Sequence, residues 1–256
     1  MIRKNAPFCT NKKGFFVEIF DSFLSILFNN AYFCRVSKIF QFTLLLLFAG
    51  LSFQASCAAA DKMGAWHLEK DKDQIQIYTR EVAGKQLKEL KVVTHFNVNA
   101  HTFIAFISDI SAQPKYLYNC LASKLLKSNS EKEHVYYQQT GLPWPCTNRD
   151  GVYKQLVQPD LKNNVVYIRI ESLCKYLPEK DGFVRVPSLT AFWKLNILPD
   201  NTILAEYQLS LDPGGLVPSW LVNMFIDKAP YESFVKMKKM VHEKKYQNVL
   251  FPFLTK

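Results

Sequence analysis

The sequence predicts an α+β fold in which a long, curved antiparallel sheet wraps around a kinked C-terminal helix. Three observations carry this prediction. Strand segments show alternating apolar and polar residues, a C-terminal segment has apolar residues at helical spacing, and no internal repeat or low-complexity linker follows residue 60. The strands and the helix therefore belong to one domain, which we place at 61–250, with a short C-terminal tail at 251–256.

Alternation with a period of two is clearest in the last three predicted strands, 165–173, 183–198 and 202–211. In the first of them, Ile168 points to one side of the strand while Arg169 points to the other. Because such a strand has one buried face and one solvated face, we expect an antiparallel sheet that is covered on one side. The remaining predicted strands are 74–80, 87–97, 121–128, 133–140 and 149–158.

Helical segments are predicted near the start of the domain. Asn99 is a favourable N-cap for a helix over 100–109, whose apolar residues fall on one stripe. Shorter helical pieces are predicted at 65–70 and 112–118.

The C-terminal segment 217–246 supplies the predicted cover of the sheet. Its apolar residues recur at helical spacing, and lysines occupy the opposite face. Pro230 interrupts the segment, and a proline inside a helix removes one backbone hydrogen bond and kinks the axis. Gly214 and Gly215 precede the segment and can absorb large changes in backbone dihedral angle.

The first sixty residues predict export. The apolar run at 42–53 is short for a transmembrane helix, which needs about 20 residues. Basic residues precede it and three alanines ending at Ala60 follow it, an arrangement typical of a secretory signal peptide. We therefore predict a signal peptide at about 36–60 and a periplasmic or secreted protein. Residues 1–35 fit no part of such a peptide: either translation begins near Val36 and they are not translated, or two apolar segments form an N-terminal membrane anchor.

Cysteine usage is compatible with export. Cys57 ends an Ala-Ser-Cys sequence like that of a lipoprotein cleavage site, which gives a second route to membrane anchoring. The domain contains Cys120, Cys146 and Cys174, so a monomer holds one disulfide at most. Buried, inert thiols are the favoured interpretation. The spacing matches no metal site, and we predict neither a metal nor a cofactor.

Charge and motifs argue against several functions. The net charge is +10, of which residues 1–60 contribute +4 (six Lys and Arg against two acids) and the rest +6 (26 against 20). No run of five like charges is present, so we predict no nucleic-acid partner. A mildly basic domain suits transient contact with a membrane surface. The catalytic motifs HExxH and GxSxG are absent.

Four segments, in order along the chain, resemble the START (StAR-related lipid transfer) family over nearly all of 63–246. They are Trp66 with 71–80, Pro143-Trp144-Pro145 with Asn148-Arg149-Asp150, Val184-Arg185, and 212–223. The domain looks like a bacterial-type, exported, single-domain member. The resemblance implies a helix-grip (START / Bet v 1-like) fold, in which the sheet and the C-terminal helix enclose an internal apolar cavity for one lipid.

The resemblance, combined with the strand and helix faces, predicts ten lipid-binding residues: Tyr137, Ile168, Arg185, Trp193, Leu195, Tyr207, Leu209, Trp220, Met224 and Phe225. For the aromatic residues of the sheet, filling a core is the alternative to lining a pocket. Counting by twos along its strand places Arg185 on the apolar side with Trp193. A buried guanidinium needs a partner, and two alternatives stay open: the polar group of a ligand, or a structural ion pair.

Two departures limit what the resemblance implies about the lipid. The aromatic cage of phosphatidylcholine-binding members has a Trp and a Tyr where this sequence has Tyr137 and Gly151. Sterol-binding members pair the arginine that corresponds to Arg185 with an acid, where this sequence has Gln138 and Gln139. Neither head-group specificity carries over.

The function predicted is lipid binding, with lipid transfer or sensing, by a monomer. One lipid (phospholipid, sterol or similar) occupies the cavity, and the C-terminal helix gates it. The alternative is an enzyme of the helix-grip superfamily, cyclase-like or hydrolase-like, acting on an apolar substrate in the same cavity. A third interpretation is an envelope protein whose apolar interior is only a core.

Overall fold

Alternating side chains do build a sheet with one buried face. The computed structural model describes residues 64–85, 87–215, 218, 221 and 228–255. The strands among these residues are β1 (His67–Lys72), β2 (Ile75–Arg80), β3 (Glu89–Phe96), β4 (Cys120–Ser130), β5 (Glu133–Thr140), β6 (Asn148–Asp160), β7 (Val165–Ser172), β8 (Phe183–Arg185), β9 (Ser188–Ile197) and β10 (Ile203–Asp212).

These strands form one sheet in the order β1-β2-β3-β10-β9-β7-β6-β5-β4, with β8 paired to β6 off this path. Every pairing is antiparallel except β6 with β8, which is parallel. The predicted α+β class and the antiparallel sheet are confirmed.

Cross-strand register decides which side chains share the buried face. Trp193 of β9 lies opposite Tyr207 of β10 and opposite Ile168 of β7. Directly opposed residues project from the same face of a sheet, so the apolar phase of each strand meets that of its neighbours.

Three helices lie among the described residues: α1 (Ala100–Ser108), α2 (Gln113–Tyr116) and α3 (Ala229–Met240). Asn99 caps α1 as predicted, because its Oδ1 accepts a hydrogen bond of 2.9 Å from the backbone N–H of Thr102. Phe103 of α1 is buried against the sheet, its ring centroid 5.5 Å from that of Trp193. Short 3₁₀ turns span Ile110–Ala112, Lys244–Tyr246 and Pro252–Leu254.

The helix predicted at 65–70 is wrong: this part of the chain is strand β1. It forms a hairpin with β2 around Asp73 and Gln74, which have φ of 53° and 60°. Backbone hydrogen bonds to β2 outweigh the local pattern, and the ring of Trp66 packs against the guanidinium of Arg80 at 4.4 Å.

The single strand predicted at 183–198 is two strands. β8 ends at Arg185 and β9 begins at Ser188, and the backbone N–H of Val186 donates to the carbonyl of Asp150 at 2.9 Å. Pro187, between them, has no N–H to donate to a ladder. Because β8 pairs with β6 and β9 pairs with β7 and β10, the faces of β8 cannot be counted along from β9.

The C-terminal helix ends six residues earlier than predicted, at Met240. The next residues turn towards α1, where Lys245 Nζ and the Tyr246 hydroxyl each donate to Asp109 Oδ2, at 2.7 and 2.9 Å. Pro230 occupies the first turn of α3.

Residues assigned to a C-terminal tail pack against the domain. Leu254 is buried, and the backbone N–H of Phe251 donates to His101 Nδ1 at 3.0 Å. In the part of the chain that is described, no helix is long and apolar enough to span a bilayer.

Candidate functional site

A cavity of about 210 Å³ lies between the buried face of the sheet and helix α3. The sheet contributes side chains from β3, β5, β6, β7, β9 and β10, and α1 and α2 close one side of it. From α3, the residues that face the cavity are Ala229, Pro230, Ser233, Phe234 and Met237. They recur every three or four positions, so one stripe of the helix forms a wall of the cavity.

Aromatic rings form one part of the lining. The ring of Trp193 lies 4.6 Å from that of Tyr207 and 5.5 Å from that of Phe234, measured between centroids. These distances are those of favourable aromatic pairs. Phe234 therefore holds α3 against the sheet directly over the cavity.

Polar but uncharged side chains form another part of the lining. They come from α2, β5 and β6: Gln113, Tyr116, Tyr136, Gln138, Tyr153 and Gln155. Burial raises the pKa of the Tyr136, Tyr153 and Tyr207 hydroxyls, so these phenols stay neutral at physiological pH. No Lys, Arg, His, Asp or Glu side chain is among the described residues that line the cavity.

Five of the ten predicted site residues lie at or beside the cavity. Trp193, Tyr207 and Leu209 line it. Ile168 and Leu195 project from the same face of the sheet but are completely buried in the adjoining core and do not reach the cavity surface. Period-two alternation identifies the face, but it cannot say how far along the strand the cavity extends.

Tyr137 is on the face of the sheet opposite the cavity. In the β5–β6 register it lies across from Val152, whereas Tyr136 lies across from Tyr153, and those two tyrosines line the cavity. The Tyr137 hydroxyl donates to Asp150 Oδ2 at 3.0 Å. The prediction is displaced by one residue because 133–140 lacks a clean alternation, and a shift of one residue exchanges the two faces.

Arg185 also lies away from the cavity, in a buried ion pair. Its Nε and Nη2 donate to the two carboxylate oxygens of Asp150, at 2.7 and 3.0 Å. The guanidinium bonds further to the carbonyl oxygens of Cys174, Leu177 and Pro178, at 3.1, 2.9 and 2.9 Å. These contacts use all five N–H groups. Of the two alternatives, the geometry is that of the structural pair.

Arg149 is buried, and none of its hydrogen bonds to described residues is to a carboxylate. It donates to the carbonyl oxygens of Thr147, Pro213 and Gly214, the last from Nη2 at 2.9 Å. Burial lowers the pKa of this guanidinium below its ordinary value. The arginine attaches β6 to the turn after β10, where Gly214 and Gly215 have φ of 70° and 67°.

The remaining predicted residues, Trp220, Met224 and Phe225, lie outside the residues that the structure describes. Sequence reasoning also missed the polar lining residues. For Gln155 a signal existed: it follows Tyr153 and precedes Val157 on the apolar phase of β6, where a glutamine is unusual.

Cys120, Cys146 and Cys174 form no disulfide with one another, and Cys120 is buried. Burial raises the pKa of its thiol, which keeps it protonated. The described residues contain no cluster of three His, Cys, Asp or Glu side chains that could hold a metal ion.

A long antiparallel sheet packed against a C-terminal helix, with an apolar cavity between them, defines the helix-grip class of proteins. The sequence model of the START domain matches residues 55–247. The chain belongs to the START family.

Individual relatives agree with this assignment. An uncharacterised protein of Pseudomonas aeruginosa is 30% identical over 179 residues, covering 70% of this chain and 88% of that protein. The phosphatidylcholine transfer protein of Mus musculus is 28% identical over 188 residues, covering 69% of this chain and 85% of its own length.

Solved structures share the fold. The crystal structure of a STAR-related lipid transfer protein from Xanthomonas axonopodis (fragment 25–204) superposes with a TM-score of 0.63 at 30% identity, covering 69% of this chain and 98% of that one. Human StAR-related lipid transfer protein 5 superposes with a TM-score of 0.61 at 15% identity, covering 78% of this chain and 95% of that one. The second likeness concerns the fold alone.

Proposed function

We propose that this protein binds one lipid in the cavity between the sheet and α3 and carries it between membranes. The observation that supports this most directly is the cavity itself, whose walls are mainly aromatic and aliphatic and include no charged side chain among the described residues. Relatives named as lipid transfer proteins match most of the domain.

The physical advantage of such a cavity is the removal of acyl or ring carbons from water. Each buried CH₂ group is worth about 0.8 kcal/mol, so a lipid with two acyl chains faces a barrier on the order of 20 kcal/mol in bulk water. A closed apolar cavity replaces water as the surroundings of the chains during transfer.

The size of the cavity supports a gate. Its volume of about 210 Å³ is below the roughly 300–1,000 Å³ of pockets that hold drug-sized ligands. A whole lipid therefore requires lining groups to move apart. The sheet resists this because its backbone is hydrogen-bonded from strand to strand, so the movement falls to α3.

Hydrogen bonds among the described residues attach helix α3 to neighbouring elements. The backbone N–H of Tyr118 donates to Ser233 Oγ at 2.9 Å, the Tyr231 hydroxyl donates to the Asp73 carboxylate, and Lys238 Nζ donates to the Asp73 carbonyl at 3.2 Å. We propose that these contacts break when the helix swings outward to admit lipid.

We further propose that the protein contacts membrane surfaces and is exported. Exposed lysines just before, within and after α3 (Lys228, Lys236, Lys239, Lys244 and Lys245) would attract anionic head groups, each worth about 1 kcal/mol near such a surface. We propose that the monomer works outside the cytoplasm, after removal of the signal peptide or while held by an N-terminal anchor.

Extraction of the purified protein with organic solvent, combined with native mass spectrometry, tests the proposal. We expect one lipid for each monomer and protein-dependent transfer of lipid between donor and acceptor vesicles. A protein that carries no lipid, and that takes up neither phospholipid nor sterol from vesicles, would show that the cavity is only part of a core.

A further inference from the structure

Three buried polar atoms of residues that line the cavity have no hydrogen-bond partner among the described residues. They are Oε1 of Gln113, the hydroxyl oxygen of Tyr116 and Oε1 of Gln155. The three residues are 4%, 1% and 1% exposed. An unpaired polar atom in the interior is costly, and nearly all buried polar atoms of native proteins have a partner.

The protein holds these side chains facing the cavity. Gln113 and Tyr116 are three residues apart on α2 and therefore share one face of that helix. Gln155 Nε2 donates to Ser108 Oγ, at the end of α1, at 3.4 Å. Gln155 thus uses one end of its amide within the protein and leaves the other end unpaired.

The chemistry of this cluster selects an uncharged partner. A phosphate or carboxylate buried there would need a cation, and no cationic side chain lies among the described lining residues. A hydroxyl group both donates and accepts. It can therefore pair with a phenol and with either end of a glutamine amide, whichever way the amide is turned.

We infer that Gln113, Tyr116 and Gln155 form a recognition site for the hydroxyl group of an uncharged lipid, such as a diacylglycerol or a sterol. The inference rests on the proposed lipid-carrier function and names the ligand class of the same cavity. It separates this chain from phosphatidylcholine carriers, whose ligand bears a phosphate.

A competition experiment tests the assignment. The purified protein is incubated with vesicles that contain dioleoylphosphatidylcholine, dioleoylglycerol and the acetate ester of dioleoylglycerol in known proportions, then re-isolated, and its bound lipids are quantified by mass spectrometry. A parallel arm compares cholesterol with cholesterol methyl ether. The three glycerolipids share their acyl chains, so enrichment reports the polar group alone. The two arms distinguish a glycerolipid from a sterol.

Two near-isosteric variants, Tyr116→Phe and Gln155→Met, remove the unpaired atoms. We expect the native protein to enrich a hydroxyl-bearing lipid over its acylated or methylated counterpart and over phosphatidylcholine. Each variant should reduce that enrichment by about 2- to 10-fold, the effect of one net hydrogen bond. Tyr78→Phe, whose hydroxyl bonds to Gln76 on β2 outside the cavity, is the matched control and should not change it.

The melting temperature of the lipid-free protein supplies a second readout. Because Tyr116→Phe deletes only an unpaired buried oxygen, we expect it to melt at the same or a higher temperature than the native protein, whereas Gln155→Met also loses the 3.4 Å hydrogen bond to Ser108. A fall in both variants would show that internal water makes these atoms structural and would overturn the inference. Lipid binding in which phosphatidylcholine is enriched at least as strongly as dioleoylglycerol and cholesterol would overturn it while leaving the carrier function intact. Absence of any bound lipid would contradict both the inferred hydroxyl-recognition site and the proposed carrier function.

Discussion

Arg185 and Asp150 form a two-point ion pair on the face of the sheet that is turned away from the cavity, with donor–acceptor distances of 2.7 and 3.0 Å. β8 and β6 place the two residues side by side in parallel register. The side chains of the arginine and the aspartate are 5% and 1% exposed, respectively. The hydrogen bonds to Asp150 raise the pKa of the guanidinium, so Arg185 stays positively charged.

Replacing Arg185 should therefore affect stability rather than ligand affinity. Arg185→Leu leaves the Asp150 carboxylate buried without its partner, which should lower the free energy of unfolding by about 3–5 kcal/mol. Urea unfolding measures this, and lipid affinity of the folded fraction should stay unchanged. Arg169→Leu is the control, because that arginine is exposed and lies 3.8 Å from Glu171. If Arg185→Leu kept normal stability but bound lipid more weakly, Arg185 would be a ligand-binding residue instead of a structural one.

The geometry of Gly151 and Tyr153 gives a second prediction. A Cβ atom on Gly151 would lie 2.8 Å from Cε2 of the Tyr153 ring and closer still to its hydroxyl, which leaves no room for any side chain. Gly151→Ala should force the ring into the cavity, lower the free energy of unfolding by about 1–3 kcal/mol and weaken lipid binding. Adding Tyr153→Leu should recover part of both losses. Strictly additive effects of the two substitutions in unfolding and lipid-uptake measurements would contradict direct contact.

Asp109 gives the stability of the protein a defined pH dependence. Burial by itself would raise the pKa of this carboxyl, but hydrogen bonds from Lys245, Ser111 and Tyr246 lower it overall. Because the folded-state pKa lies below the unfolded value of about 3.9, the stabilisation is fully present above that value. It is lost as the pH falls through the folded-state pKa.

Asp109→Asn should consequently lower the free energy of unfolding by about 1 kcal/mol at neutral pH, since the pair with Lys245 is partly exposed. The difference from the native protein should shrink below pH ~4 and vanish in stronger acid. Urea unfolding between neutral and acidic pH measures it. Asp181→Asn, at an exposed position, controls for a general change in net charge. A difference that is constant with pH would mean that the ionised carboxylate contributes nothing.

A reversible tether tests the gate. The backbone N–H of Tyr118 lies 2.9 Å from Ser233 Oγ, so cysteines at these two positions bring their backbones within the range of a disulfide. In a variant that lacks the native cysteines, oxidation of Tyr118→Cys/Ser233→Cys should trap bound lipid and stop exchange between vesicles, with recovery on reduction. Each single-cysteine variant, treated with the same oxidant, should keep exchanging lipid. Undiminished exchange by verified cross-linked protein would place the entrance elsewhere.

The processing of the N-terminus is open to direct measurement. Mass spectrometry of protein isolated from the cell in which it occurs naturally should find a mature chain that begins at Asp61, as predicted for cleavage after Ala60. A lipid-modified Cys57 would instead support the lipoprotein alternative. Any peptide from residues 5–35 would show that translation does not begin near Val36.

The class of the fold could be predicted from the amino-acid sequence, because the relevant information is periodic and local. Alternation within 165–173 and 202–211 predicted two strands, and β7 and β10 agree with these bounds within one residue at each end. Asn99 predicted the start of α1, because an N-cap depends only on its immediate neighbours. For the same reason, the apolar face of β9 and β10 correctly led to Trp193, Tyr207 and Leu209 as residues of the cavity lining.

Features that depend on pairing between distant segments could not be predicted from local patterns and became visible only in the folded domain. Residues 67–72 form a strand because β2 is available to pair with them. Arg185 lies beside Asp150 because β8 pairs with β6 instead of continuing into β9. The position of Tyr137, one residue out of phase, is set by the β5–β6 register, which no local pattern in the strand specifies. The polar cluster at the cavity has the same origin. Gln113 and Gln155 are 42 positions apart in the sequence, and only the packing of α2 against the sheet brings their unpaired amide atoms to one cavity.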